Sequence, residues 1–453
     1  MNAHANGASG PRFRTPFGFL AALRKDPLGN LMSWRRQYGD FVEIPFGLGR
    51  TYLVFHPRDV RHVLHENHKN YWKGVVLGKL KRIAGEGLVF SDGDLWRRQR
   101  KLVQPAFHRD RITAMAQMMT ASTAAMLDRW ESHARTGPLN VAAEATKLTL
   151  EIVARALFGT SLGDDEAEFS ETVTAGMAYA NHLMNHFLAW PIWIPTRANR
   201  AGRAAIRTMD RIVHGLIERR RRDERPAEAT ADLLGMLIEA RDEETHVTMN
   251  DRQLRDEVVT FLVAGHETTA VTLAWTWHLL ASHPEIEARL HAEIAEVLGQ
   301  GVPAFRDLER LRYTRMVIEE AMRLYPPAWG ISRQAYQEDR LGERRIAKGT
   351  VVTLSAYVTH RHPEFWPDPE HFDPERFSPG DDAGRPEYAY FPFGGGPRRC
   401  IGNQFAMMEA QLILAMTSQR FRMSAVPGYA VKPDPILTLR PNPGVLMTLA
   451  ARA

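Results

Sequence analysis

The hydrophobic and polar positions divide this chain into stretches of different period. Residues 41–46 and 51–55 are short, apolar and rich in aromatic and β-branched types, and Gly47-Leu48-Gly49-Arg50 between them reads as a hairpin turn. After Pro57 the pattern becomes helical. From Arg97 to about Gln300 apolar residues recur at three- and four-residue spacing with few β-branched runs, which predicts a stack of helices. Residues 218–230, four consecutive arginines followed by acids and Pro226, interrupt it and read as a solvated loop. Residues 251–283 predict an unusually long helix, capped by Asn250 or Asp251 and closed where Pro284 starts the next one; such a helix would be roughly 50 Å long. Another helix, about 308–325, ends at Pro326-Pro327. Strand-like pieces follow at 331–336 and 351–358, then a proline-rich irregular path to Phe377. No repeat, low-complexity tract or linker breaks the pattern. The expectation is one mainly α domain with a small β portion over residues 1–453, with 1–16 as a flexible leader.

Composition narrows the classes. With 44% hydrophobic and 25% charged residues, the 453-residue chain is globular in type and can bury a large core. Fifty-eight Lys and Arg against 53 Asp and Glu give a formal charge of +5, too mild a balance to predict nucleic-acid binding. No run reaches the roughly 18 apolar residues of a membrane span, and the first 16 lack the apolar core of a signal peptide. The expected compartment is the cytoplasm, and the single cysteine, Cys400, rules out an intramolecular disulfide and fits a reducing milieu.

That cysteine sits in Phe393-Gly394-Gly395-Gly396-Pro397-Arg398-Arg399-Cys400-Ile401-Gly402, followed by a helical run from about Asn403. Glycines let the backbone approach a flat group, and backbone N–H groups and arginines around a sulfur favour thiolate. A lone cysteine is more often an inert buried residue; the surrounding pattern decides otherwise. The segment resembles the haem-binding loop of the cytochrome P450 family, which fixes five positions, here Phe393, Gly396, Arg398, Cys400 and Gly402. The resemblance implies the fold of that family, with haem b between the long helix and the cysteine loop. Cys400 would be the iron ligand, and Phe393 would pack beside the sulfur.

Upstream segments carry the family's other motifs in order. Ala264-Gly265-His266-Glu267-Thr268-Thr269 lies in the predicted long helix. A glycine and two threonines there weaken the hydrogen-bond ladder, because threonine hydroxyls compete for backbone carbonyls, and a local groove is expected. The segment is similar to the family's oxygen-activation motif, which implies Thr268 and Glu267 as proton-handling residues and Ala264 as a haem neighbour. A zinc-protease reading fails because the second histidine of H-E-x-x-H would fall on Ala270. Glu320 and Arg323 share a helix face and can pair. The family carries Glu-x-x-Arg here together with the arginine of Pro374-Glu375-Arg376-Phe377, implying a buried network that positions the cysteine loop. Trp96 and Arg100 at i and i+4 match the family's pair for haem propionates; Arg398 and Arg333 match further propionate contacts, and His360 stands as either another or a structural residue. His62, His65 and His68, and His182 with His186, have helix-face metal spacing, but no further ligands complete either set.

The resemblance implies insertion of one atom of dioxygen into a substrate. Apolar segments at 75–89, 261–264 and 328–331 would line the pocket, with 179–195 as lid and entrance, so a lipophilic substrate of the fatty-acid, terpenoid or steroid class is expected. No flavin or iron–sulfur segment follows, which implies a separate ferredoxin or flavodoxin with its NAD(P)H reductase, docking on Arg97, Arg98, Lys101 and Arg399. The enzyme is expected to be a monomer. A peroxide-driven peroxygenase and a non-enzymatic haem sensor are the alternatives.

Overall fold

The computed structural model describes residues 10–13, 18–46, 49–133, 137–159, 166–185, 190–223, 232–241, 248–380 and 384–452. The chain forms two compact units, one of Met1–Lys79, Met322–Phe372 and Pro379–Cys400, the other of Leu80–Ala321, Asp373–Ser378 and Ile401–Ala453.

The first unit is built on a five-stranded sheet. Phe41–Phe46 pairs antiparallel with Gly49–Val54, whose other edge runs parallel to Val351–Leu354; Ile331–Ala335 and then Tyr71–Trp72 complete the order by antiparallel pairing. Strand side chains alternate between faces, and here both faces are covered. Val42, Ile44, Leu53 and Phe55 pack with Leu31, Trp34 and Val358, while Phe41, Tyr52, Val54, Val352 and Leu354 pack with Leu64, Tyr71 and Phe391. The expected strand over 351–358 stops at Leu354. Ser355 turns the chain, its hydroxyl accepting from the Val358 N–H and capping the short helix Ala356–Thr359.

The second unit is helical with small sheets at its edge. Its long helix, Asp251–Ser282, opens with a capping box: the Asn250 side chain accepts from the Gln253 N–H and the Gln253 side chain returns to the Asn250 N–H. Twenty-one of its 32 residues are buried, against a one-sided stripe in a surface helix. Among the described helices it alone is long and apolar enough to cross a membrane, and 78% of that apolar stretch is buried inside the protein. It packs along Val141–Phe158, and Gly265 permits the approach, since a Cβ there would lie 2.8 Å from Val153 Cγ2. The four arginines expected in a loop instead close the helix Arg197–Arg222, where cations favourably meet the helix C-terminus. The helix expected over 308–325 spans Arg312–Leu324.

Candidate active site

In the first unit the chain reaches Cys400 through a series of turns with no regular ladder, so its backbone must be satisfied from elsewhere. Three buried side chains do this. Trp366 Nε1 donates to the Ala389 carbonyl (3.2 Å), the Phe391 N–H donates to His360 Nε2 (2.9 Å), and the Gly396 N–H donates to the Tyr388 hydroxyl (3.1 Å). Gly396 has φ +60°, and a Cβ there would lie 2.0 Å from the Leu64 carbonyl oxygen, so no other residue fits. The loop then closes on itself: the Gly394 N–H donates to the Phe391 carbonyl, the Arg399 N–H to the Gly396 carbonyl, and the Cys400 N–H to the Phe393 carbonyl at 3.0 Å. Phe393 and Cys400 are thereby held together, with Arg398 half-buried in the turn Gly396–Arg398.

Arg323 supports the supporters. Its guanidinium is fully buried and donates to the carbonyls of His360 (3.0 Å), Pro369 (2.7 Å) and His371 (3.0 Å) while lying 5.1 Å over the Trp366 ring. Its charge therefore fixes two of the three residues that pin the cysteine loop. Burial, and then the charges of Arg323 and Arg361, push His360 down to about 3, so its imidazole is neutral and serves as an acceptor. This is the structural half of the alternative posed for His360. In the second unit, Glu320 accepts from the Asp373 N–H (2.9 Å) and lies 3.5 Å from Arg376 Nε, which ties down the segment that carries Arg376. Arg333, buried on its strand, donates to the Ser332 carbonyl.

The second unit contains the oxygen-motif segment. The predicted loosening is met differently from expectation: the helix stays α-helical throughout, and the threonines back-bond onto it. Thr268 Oγ1 donates to the Ala264 carbonyl (2.9 Å), Thr272 to Thr268 and Thr276 to Thr272, while Thr149 from Val141–Phe158 reaches the His266 carbonyl at 2.8 Å. His266 donates from Nδ1 to the Leu262 carbonyl, and burial holds its pKa below the ordinary range. Ala264 is exposed in the middle of this largely buried helix, and Thr268 one turn later is half-buried. Such an opening is what a flat group needs.

Glu267 is buried and accepts from Thr438 Oγ1 (2.7 Å) and from Arg440, whose side chain is 37% exposed. Its carboxylate thus has a cationic partner that reaches solvent. Glu409, fully buried on Asn403–Arg420 and facing the Thr269 hydroxyl, is raised by burial to about 8. Trp96 and Arg100 lie half-buried on one helix, Gly93–Val103, and Gly402 caps the helix Asn403–Arg420, its carbonyl accepting from the Ala406 N–H. The loop before the Trp96 helix is clamped to the long helix: the Glu86 N–H donates to Asp256 (2.8 Å) and the Leu88 N–H to Glu257 (3.0 Å).

Among the described residues no histidine, cysteine or carboxylate cluster is arranged for a metal ion. His62 binds Asp339 (2.9 Å) and His68 binds the His65 carbonyl, and these residues occupy a π turn and a 3₁₀ turn in place of one α-helical face. His182 stacks on Tyr179, and His186 lies outside the described residues, as do Gly47 and Leu48 of the hairpin turn.

A cysteine exposed on a pinned loop of the first unit, and an exposed alanine midway along the long helix of the second, are the features expected of a haem-thiolate protein. The chain matches the cytochrome P450 profile over residues 9–448. It is 38% identical over 435 residues to cyclooctatin synthase of Streptomyces melanosporofaciens, covering 95% of this chain and 90% of that one. It is 41% identical over 416 residues to cyclooctat-9-en-7-ol 5-monooxygenase of the same organism (91% and 88%), and 35% identical over 439 residues to pentalenene oxygenase of Streptomyces avermitilis (96% and 95%). Its structure resembles the crystal structure of the cytochrome P450DA haem domain with a TM-score of 0.88, 29% identity and 98% of each chain covered. The chain belongs to the cytochrome P450 family and is a haem-dependent monooxygenase.

The cofactor of this family is haem b. We propose Cys400 as its iron ligand, with Phe393, Arg333 and Arg398 of the first unit and Trp96, Arg100, Ala264 and Gly402 of the second as further cofactor-binding residues. Sequence reading missed His360 as an acceptor, Tyr388, Trp366, Thr438 and Arg440. Each acts from far along the chain, and no local pattern announces it.

Proposed function

We propose that this monooxygenase hydroxylates a terpenoid hydrocarbon or alcohol, with electrons from a separate ferredoxin or flavodoxin and its NAD(P)H reductase, as a cytoplasmic monomer whose chain acts as a single catalytic domain. Haem, when bound, would supply dioxygen activation, and Cys400 as its thiolate ligand would supply the electron density that favours this chemistry. The observation that carries the substrate reading is the apolar opening at Ala264. The 85–91 loop is pinned at Asp256 and Glu257, about two turns before Ala264, and bears the exposed Val89. Phe261 lies against Phe107 on the same stretch of the long helix. These groups offer a hydrocarbon contact area and no charge to bind a carboxylate, which favours terpenoids over fatty acids among the lipophilic classes. The similarity to enzymes named for cyclooctat-9-en-7-ol and pentalenene supports the same choice.

Thr268 would hold a proton on its hydroxyl next to the Ala264 carbonyl, and Glu267, set by Thr438 and Arg440, would restore it from the surface. The partner would meet Arg97, Arg98 and Lys101 on the second unit, where Lys101, His108 and Arg111 line a groove, and the exposed Arg399 on the first. Spectral titration of the purified enzyme tests the substrate: cyclic di- and sesquiterpenes should shift the haem Soret band at micromolar concentration, and a response confined to fatty acids or polar compounds overturns the assignment. Charge reversal at Arg98 or Arg399 should slow reduction by the partner at low salt, and unchanged kinetics would refute that docking site.

A further inference from the structure

Trp190 and Trp193 are 64% and 72% exposed, the two most exposed large aromatic side chains among the described residues. Their exposure is built into the fold. Asn199, 2% exposed, donates from Nδ2 to the carbonyls of Pro191 and Ile194, both at 2.9 Å, and accepts from the Tyr179 hydroxyl at 3.0 Å. The Ile194 N–H donates to the Pro191 carbonyl, Thr196 caps the following helix, and Pro191 and Pro195 restrict the backbone. A turn fixed this well holds its tryptophans in water at a standing hydrophobic cost.

The charge beside them is equally one-sided. Residues 190–209 contain Arg197, Arg200, Arg203 and Arg207 and no acidic residue. Arg197, Arg200 and Arg207 are exposed, and among the described residues none of the three forms an ion pair. Two of them occupy the first turn of the helix Arg197–Arg222, where the helix dipole disfavours cations and acidic residues are the usual choice. A local rule broken without internal compensation points to an external anion. Tryptophan is the residue whose ring is apolar and whose N–H seeks water, which suits it to the headgroup layer of a bilayer, and arginine pairs with phosphate.

We propose that the 190–207 edge docks on the surface of an anionic lipid bilayer, with Trp190 and Trp193 entering the headgroup layer and Arg197, Arg200 and Arg207 meeting lipid phosphates. The inference stands apart from the substrate reading above. It concerns peripheral attachment and needs no spanning segment.

Vesicle co-sedimentation of the haem-loaded full chain tests it, with phosphatidylglycerol–phosphatidylcholine vesicles against pure phosphatidylcholine. The protein should sediment with the anionic vesicles at low salt. Neutralising each arginine in R197Q, R200Q and R207Q should weaken partition about fivefold. W190S/W193S should lose the salt-resistant part of binding, and brominated lipid should quench wild-type tryptophan fluorescence but not that fraction in the double variant. An unchanged haem spectrum in each variant separates docking from folding. Failure of the wild type to sediment, or wild-type binding by both sets of variants, overturns the proposal. So does concentration-dependent self-association that W190S/W193S abolishes while no vesicle binding is seen, which would make the patch an interface between two copies.

Discussion

The cysteine loop and the oxygen-motif segment of the long helix, to which we assign iron ligation and proton handling, are held in opposite ways. The helix is intrinsic: its backbone bonds close within it, its cap is local, and even its competing threonine hydroxyls return to its own carbonyls. The loop is extrinsic: its shape depends on Trp366, His360 and Tyr388, and through the first two on Arg323. A helix segment can therefore change its reactive side chains without losing its form, whereas the loop can lose its form through a residue that touches no substrate.

The largest effect should follow from the loop itself. Cys400→Ser is expected to abolish monooxygenation and the red-shifted Soret band of the reduced carbon monoxide complex. A variant that keeps that band would mean another residue ligates the iron.

Arg323→Ala comes next. It strips a buried charge from three carbonyls, and the cost should be roughly 3–5 kcal/mol. Urea unfolding and the haem-to-protein ratio read it out, and the comparison predicts poor haem loading although Arg323 has no assigned haem contact. Arg323→Lys should rescue it only partly, because one ammonium cannot reach carbonyls that the planar fork serves. Normal loading and stability in Arg323→Ala would show that the loop holds its own shape.

The helix should behave otherwise. Thr268→Ala removes a hydroxyl that, among the described residues, bonds within its own helix, so stability and the carbon monoxide spectrum should stay close to wild type while product per NADPH falls at least about tenfold. Hydrogen peroxide without reductant sharpens this. A peroxygenase would convert substrate at the full rate by that route and be indifferent to Thr268, and such a result would displace the dioxygen-dependent reading.

The same contrast governs what was legible in the sequence. The long helix could be read nearly to the residue, with its cap narrowed to Asn250 or Asp251, because period and capping are local; the structure selects Asn250. The hairpin strands and the helix before Pro326 were legible for the same reason. The cysteine loop could be recognised only through its motif; its supports Tyr388, Trp366, His360 and Arg323 lie 12 to 77 residues before Cys400 in sequence and follow no period. Glu267 was legible, but its partners Thr438 and Arg440 are more than 170 residues distant. The strand expected over 351–358 failed at Ser355, where a capping hydroxyl outweighed the β-branched run.

The smallest effect distinguishes the units by pH. His360 is held down at about 3, so its contribution is present above its ordinary value of 6.5 and is lost as pH falls toward 3. In the second unit the buried groups are carboxylic acids, Glu409 raised to about 8 and Glu257, by burial and the neighbouring Asp256, to about 7. A raised acid binds its proton more tightly when folded, so its contribution is full below 4.5 and is lost as pH rises through the folded value. Between pH 7 and 8 Glu257 completes its ionisation alike in wild type and in a Glu409 variant, while Glu409 is still titrating. Wild type should therefore lose about 1 kcal/mol more than Glu409→Gln over that interval. Urea denaturation at the two pH values measures the difference. Equal losses would mean that Glu409 is already ionised at pH 7, and that the region around Thr269 is wetter than the closed helix packing implies.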